Sequence, residues 1–217
     1  PSSAMGLLTF VIEPVHAISV MVAPIIFTNI AQFTRAPNPM RTMNEFKFFA
    51  LFIIMSIFST SMFITFYPTQ VLTVAIGFAM IAFSLNQLYG VKISIGPSYF
   101  WHVVVGIISG VLGGLSSIWS PPVAMYLIAR NYDKDQFISA TGFLFMVGGL
   151  PLGLGLYFAG VLTYLVVLQS IIALIFVLIG FRIGEILRKF VSQKIFRNCV
   201  LISFLIMGSR LIYEGFF

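Results

Sequence analysis

Long apolar runs separated by short polar stretches dominate the chain. Phe48–Phe66, Val71–Leu88, Phe137–Phe158, Tyr164–Phe181 and Cys199–Ile212 read as spanning helices, several of them near the roughly 20 residues that cross a bilayer. Ala17–Phe33 is a sixth and weaker run, because it carries Pro24, Thr28, Asn29 and Gln32. Two segments do not fit the spanning pattern. Ala4–Ile12 is a short apolar piece. Trp101–Ala129 is 29 residues long and is interrupted by Gly113-Gly114-Leu115-Ser116-Ser117-Ile118-Trp119-Ser120-Pro121-Pro122.

Composition says what solvent these runs face. Charged residues make up 8% of the chain and hydrophobic ones 59%, with a mean hydropathy of +1.06. A soluble domain carries about 25% charged residues, so this chain lacks the polar surface a water-soluble fold needs. The net charge of +6 sits in short loops between apolar runs, which is the pattern of membrane topology rather than of nucleic-acid binding. Cys199 is the single cysteine, so an internal disulfide and a cysteine metal cluster are both excluded, and no cofactor is implied. No cleavable signal peptide is visible.

Charge also sets the parity of crossings. Loop 34–47 holds Arg35, Arg41 and Lys47, and loop 182–197 holds Arg182, Arg188, Lys189, Lys194 and Arg197. Both are expected to be cytoplasmic. Four clear spans lie between them, so Trp101–Ala129 has to return to the side it starts from. It is therefore expected to be a re-entrant hairpin over 101–129, with two arms of about 13 residues, or roughly 20 Å each, too short to span.

The chain also repeats itself. Pro1-Ser2-Ser3-Ala4-Met5 resembles Pro121-Pro122-Val123-Ala124-Met125, and at the same offset of 120 Glu13 meets Asp133, His16 meets Gln136 and Ser19 meets Ser139. Asn86-Gln87-Leu88-Tyr89-Gly90 likewise resembles Arg210-Leu211-Ile212-Tyr213-Glu214-Gly215. In this register each basic loop of one half pairs with an uncharged turn of the other, 34–47 with 159–163 and 182–197 with 67–70. That exchange is expected of halves with opposite membrane orientation. The expected fold is an all-α polytopic membrane protein, an inverted repeat of three spanning helices plus broken or re-entrant half-helices per half. The halves are 1–95 and 96–217. The first has no counterpart of Trp101–Ser120, which leads to the expectation of a further hairpin arm upstream of Pro1.

The interruption carries the candidate chemistry. A helix resuming at Pro121 has proline at its first position and Ser120 as N-cap. Its N-terminus presents N–H donors and about half a positive charge, an anion site that needs no buried lysine. Gly113 and Gly114 allow a sharp turn and leave room for a ligand. Ser116, Ser117, Trp119 and Pro122 complete the candidate set. The alternative is a Gly/Pro kink satisfied by neighbouring helices. Ser2 and Ser3, before the first short helix, would form the mirror site. Thr28, Asn29 and Gln32 either line the same cavity or bond between helices. Arg210 is either a counter-ion for a substrate or a side chain that snorkels to the interface beside Glu214. His16 and His102 read as structural. Gly106-x-x-x-Gly110 and Gly180-x-x-x-Gly184 read as helix-packing glycines.

Gly106-Ile-Ile-Ser-Gly110-Val-Leu-Gly-Gly114-Leu-Ser-Ser-Ile-Trp-Ser-Pro121-Pro122 resembles the glycine-rich, double-proline signature of the TauE/SafE sulfite-exporter family of membrane permeases. The resemblance covers about 101–215; Ser116, Ser117 and Trp119 stand where the family often has glycine after the diglycine. It implies a multi-pass protein of the cell (inner) membrane that exports sulfite or short organosulfonates, with a small anion and the lipid bilayer as its partners. A channel, an uptake carrier for another small solute and a non-transport membrane scaffold are the alternatives. The residues leave the oligomeric state, the coupling ion and the direction of transport open.

Overall fold

Proline and glycine placement decides where the apolar runs become helices and where they stop. The computed structural model describes residues 2–9, 11–36, 38–89, 98–187 and 193–216, with side chains at positions 2, 3, 6, 134, 181–182, 184–187, 193–197 and 199–200 outside the description. In chain order the helices are α1 (Ser2–Leu8), α2 (Pro14–Val20), α3 (Val22–Thr34), α4 (Pro39–Met62), α5 (Thr69–Tyr89), α6 (Tyr99–Ser116), α7 (Ser120–Ala129), α8 (Lys134–Phe158), α9 (Tyr164–Leu187) and α10 (Gln193–Phe216). A 3-10 turn, Ile64–Phe66, follows α4, and the described residues contain no strand. Five segments are long and apolar enough to cross a membrane: Pro14–Thr34, Pro39–Met62, Thr69–Tyr89, Tyr99–Ser116 and Asp135–Phe158.

Several boundaries differ from the sequence expectation. The weaker span is two helices, broken at Met21. Pro24 explains the break, because its ring displaces the carbonyl of Val20 four residues earlier. Loop 34–47 is mostly helix: α4 begins at Pro39, so Arg41 and Lys47 stand on its first turns. Loop 182–197 is likewise helical up to Leu187 and again from Gln193; positions 188–192 lie outside the described residues. Ser2 and Ser3 stand in the first turn of α1 rather than before it.

The interrupted segment is two helices, but not two equal ones. The first arm, α6, has 18 residues and the second, α7, has 10. At 1.5 Å per residue these are about 27 and 15 Å long, so the first arm, unlike the expected half-span, is long and apolar enough to cross a membrane, and the second is not. Helix α6 lies on α4 with the two chains running parallel. Gly106 sits against Phe49 and Phe52, Gly110 against Ile53 and Ile57, and Gly114 against Ile57 and Thr60. A Cβ on Gly106 would stand 2.9 Å from the Cβ of Phe52, and one on Gly114 would stand 2.8 Å from that of Thr60. Only glycine permits this approach.

Helix α7 then runs back. Tyr126 packs edge-on to Phe49, with ring centroids 5.3 Å apart, and its hydroxyl meets His102 Nε2 of α6 at 2.8 Å. The bend between the arms packs on Ile57, the middle of the apolar run Phe48–Phe66. Both ends of the pair return to the start of α4. Tyr99 meets the Phe48 ring at 5.5 Å, while Tyr132 packs on Phe46 and donates its hydroxyl to Glu45 at 2.6 Å. Burial, and then the bond to and charge of Glu45, push the Tyr132 hydroxyl above the usual tyrosine range.

Helices that correspond in the 120-residue register pack antiparallel. Along α8, Gly142 meets Gln32 and Phe33, Gly149 meets Ile25 and Ile26, and Gly153 meets Val22, so α3 and α8 run in opposite directions. The same holds for α5 and α10, where Gly77 meets Gly208 and Ile212 while Gly215 meets Gln70 and Val74. Contacts also exchange: α4 packs on α8 as α9 packs on α3, and α7 on α5 as α1 packs on α10.

The returning pair generates a labelling prediction. In a Cys199→Ser background, single cysteines at Asn38, Ser98 and Asn131 are expected to react with a membrane-impermeant thiol reagent from one and the same side. Reaction of Ser98→Cys and Asn131→Cys from opposite sides contradicts the return.

Candidate functional site

The turn between α6 and α7 spends some of its polar groups on itself and leaves others over. Ser116 closes the turn: its hydroxyl donates to the Leu112 carbonyl at 2.5 Å and accepts from the Ile118 N–H at 3.1 Å. Ser117 caps α6 in the left-handed region, with φ 56° and its N–H bonded to the Gly113 carbonyl at 2.8 Å. Glycine is the usual residue there, and a serine costs of order 1 kcal/mol in backbone strain. The hydroxyl of Ser117 is buried and has no partner within the protein.

Trp119 follows. Its indole lies over Gly113 and Gly148 and edge-on to Phe145, with centroids 5.9 Å apart. A Cβ on Gly113 would stand 2.8 Å from the ring, so that glycine makes room for the indole and not for a ligand. Trp119 is 3% exposed, yet its Nε1 has no hydrogen-bond partner. Within three residues of chain, a buried hydroxyl and a buried indole N–H are both left without a partner.

Helix α7 starts at Ser120, one residue earlier than the sequence suggested. Trp119 holds the N-cap place without a side-chain capping bond. Pro121 and Pro122 have no N–H, so two of the four donors that a helix N-terminus leaves over are missing here. The positive end of the helix dipole remains.

These groups open on a cavity of about 300 Å³. Ser117, Trp119, Ser120 and Ala124 form one part of its wall, Ile25, Asn29 and Gln32 of α3 another, and Phe83 and Gln87 of α5 with Phe137, Thr141 and Phe145 of α8 the rest. None of these side chains is charged. The structure thus brings together Asn29, Gln32, Ser117, Trp119 and Ser120 from the expected set. Thr28 turns back to the Pro24 carbonyl at 2.6 Å and does not line this cavity. Gly113, Gly114, Ser116, Pro121 and Pro122 shape the turn from behind the wall. Arg210 is exposed and paired with Glu214 at 2.6 Å, which is the snorkelling arrangement. The side chains of Ser2 and Ser3 lie outside the described residues.

Sequence reasoning missed Gln87, Thr141 and the three phenylalanines. A glutamine in an apolar span is a signal in itself, but Gln87 read only as part of the repeat match. A second cavity, of about 240 Å³, lies at the base of the α6–α7 pair between Arg41, Glu45, Asp133 and Asp135. No group of three or more metal-ligating side chains occurs among the described residues.

Against known proteins, the family described as Sulfite exporter TauE/SafE matches residues 2–211. No curated protein and no solved structure matches the chain.

The two adjacent serines are expected to behave differently. Ser116→Ala loses its turn bonds and costs about 1 kcal/mol of stability. Ser117→Ala loses no bond within the protein and is expected to leave the thermal unfolding midpoint in detergent within a degree or two, while weakening oxyanion binding several-fold. A Ser117→Ala protein with undiminished binding removes that hydroxyl from the site.

Proposed function

The chain belongs to the sulfite exporter TauE/SafE family, a family of membrane transporters of sulfur anions, and on that premise we propose that it exports small oxyanions, sulfite or a short organosulfonate, across the cell (inner) membrane as a secondary transporter. One observation carries the assignment of the site. Two buried donors without partners, Ser117 Oγ and Trp119 Nε1, stand at the N-terminus of α7 on a cavity wall that bears no charge. Neutral donors and a helix end stabilise an anion inside the membrane without the several-kcal/mol cost of burying a free cation. A site built on neutral donors is also easier to empty than one built on a salt bridge, as transport requires.

The rest of the mechanism follows from the two halves. Antiparallel packing of corresponding helices, α3 on α8 and α5 on α10, supports an inverted repeat whose axis lies in the membrane plane. Such a repeat presents the cavity alternately to each side by rocking one half against the other. The base of the α6–α7 pair and the start of α4, with Arg35 and Arg41, are assigned to the cytoplasm. Helices α6 and α7 together make the re-entrant element of the second half, and their bend lies at the middle of the apolar depth of α4.

Proteoliposomes test this reading. Protein reconstituted with internal sulfite is expected to release it faster than empty liposomes, with saturation, and Trp119→Phe is expected to lower the rate about tenfold while the protein stays folded. Sulfite and short-sulfonate fluxes equal to those of empty liposomes would defeat the proposal.

A further inference from the structure

The cavity has donors on one part of its wall and acceptors on another, and amide geometry settles which is which. Gln32 Nε2 donates to the Ile138 carbonyl at 2.9 Å and to Thr141 Oγ1 at 3.1 Å. A carbonyl only accepts, so the amide orientation follows from its partner. Both N–H bonds of Gln32 are spent, and Oε1 is what it offers to the cavity. Thr141 donates its own proton to the Phe137 carbonyl at 2.8 Å, so it too presents only lone pairs. Asn29, 5% exposed, donates to the Ile25 carbonyl at 2.7 Å, which leaves its Oδ1 and one N–H.

A bare oxyanion against Gln32 and Thr141 meets lone pairs. It gains nothing from Gln32 and Thr141, and the two oxygens lose water without a donor to replace it. The cavity is also roomy: about 300 Å³ corresponds to about ten waters at ~30 Å³ each, more than sulfite fills. Phe83, Phe137 and Phe145 cover the space between the polar parts with apolar surface.

We propose that the preferred substrate is a short organic oxyanion with a hydrogen-bond donor at its far end, its anionic head on Ser117 and Trp119 at the N-terminus of α7 and its hydroxyl or ammonium on the oxygens of Gln32, Thr141 and Asn29. This rests on the reading of the α7 N-terminus as an oxyanion site and adds the polarity of the other end. No carboxylate lines the cavity, so an ammonium group there is balanced only by the head group of the same molecule.

Three sulfonates with the same head and chain length separate the possibilities: ethanesulfonate, 2-hydroxyethanesulfonate and 2-aminoethanesulfonate, with sulfite as reference. Binding to the purified protein is measured by calorimetry. At least one donor-bearing sulfonate is expected to bind about tenfold more tightly than ethanesulfonate, the worth of one or two hydrogen bonds; which one does so separates a hydroxyl from an ammonium partner. In Gln32→Met and Thr141→Val proteins that ratio is expected to fall towards one, and the ratio is read rather than absolute affinity so that a general loss of binding does not mimic the effect. Equal or tighter binding of ethanesulfonate to the wild-type protein overturns the inference, whether or not the variants fold. Binding of sulfite alone also overturns it and leaves the transporter reading in place. Failure of all four to bind overturns both.

Discussion

The close approach of α6 to α4 is the contact on which the rest of the structure depends. Gly106, Gly110 and Gly114 strip one face of α6 to the backbone, and Phe49, Ile53, Ile57 and Thr60 of α4 fill the space. Apolar surface gives helices little reason to associate in lipid, so the gain has to come from van der Waals contact at short range. That contact anchors the first arm along a spanning helix. The chain then turns at Ser116–Trp119, where the Ser117 N–H bonds the Gly113 carbonyl and the Ile118 N–H bonds Ser116 Oγ. Irregular backbone facing lipid would leave those groups without partners.

From that turn the chemistry follows with few further choices. Ser116 takes the structural bonds, which leaves the hydroxyl of Ser117 unused, and Gly113 with Gly148 makes a slot that holds the Trp119 indole. The two prolines remove backbone donors from α7 and fix its direction. What remains is a pair of side-chain donors, Ser117 Oγ and Trp119 Nε1, on a wall whose lining residues carry no charge. The amides on α3 and the threonine on α8 are tied to carbonyls of their own or neighbouring helices, so their orientation is set before any ligand arrives. Preorganisation of this kind reduces the cost of binding.

The spans and the interrupted segment were legible because lipid demands long apolar runs and tolerates breaks only in special places. Asn29, Gln32, Ser117, Trp119 and Ser120 were legible as polar groups in apolar surroundings, and all five line the cavity. The arm lengths were not. Sequence marks where the glycines begin, but helix α6 continues through Gly113 and Gly114 because packing on α4 compensates for their low helix propensity. Thr28 was misread for a related reason: a threonine within a helix can satisfy itself on the carbonyl four residues back. Arg210 read either as a counter-ion or as a side chain that snorkels beside Glu214, and the exposed Arg210–Glu214 pair matches the second. Gln87 and Thr141 reach the cavity through the relative placement of α5 and α8, which no local pattern encodes.

Trp119 offers the most direct test of where the anion binds. With Trp101→Phe, it is the only tryptophan left in the chain, and it lines the cavity. Titration of that protein with sulfite, or with a short sulfonate that it transports, is expected to change the emission of Trp119 saturably. The midpoint is expected to match the concentration for half-maximal transport and to shift upward in Ser117→Ala. Saturable transport with an unchanged Trp119 emission would contradict the account, because the substrate would then bind elsewhere.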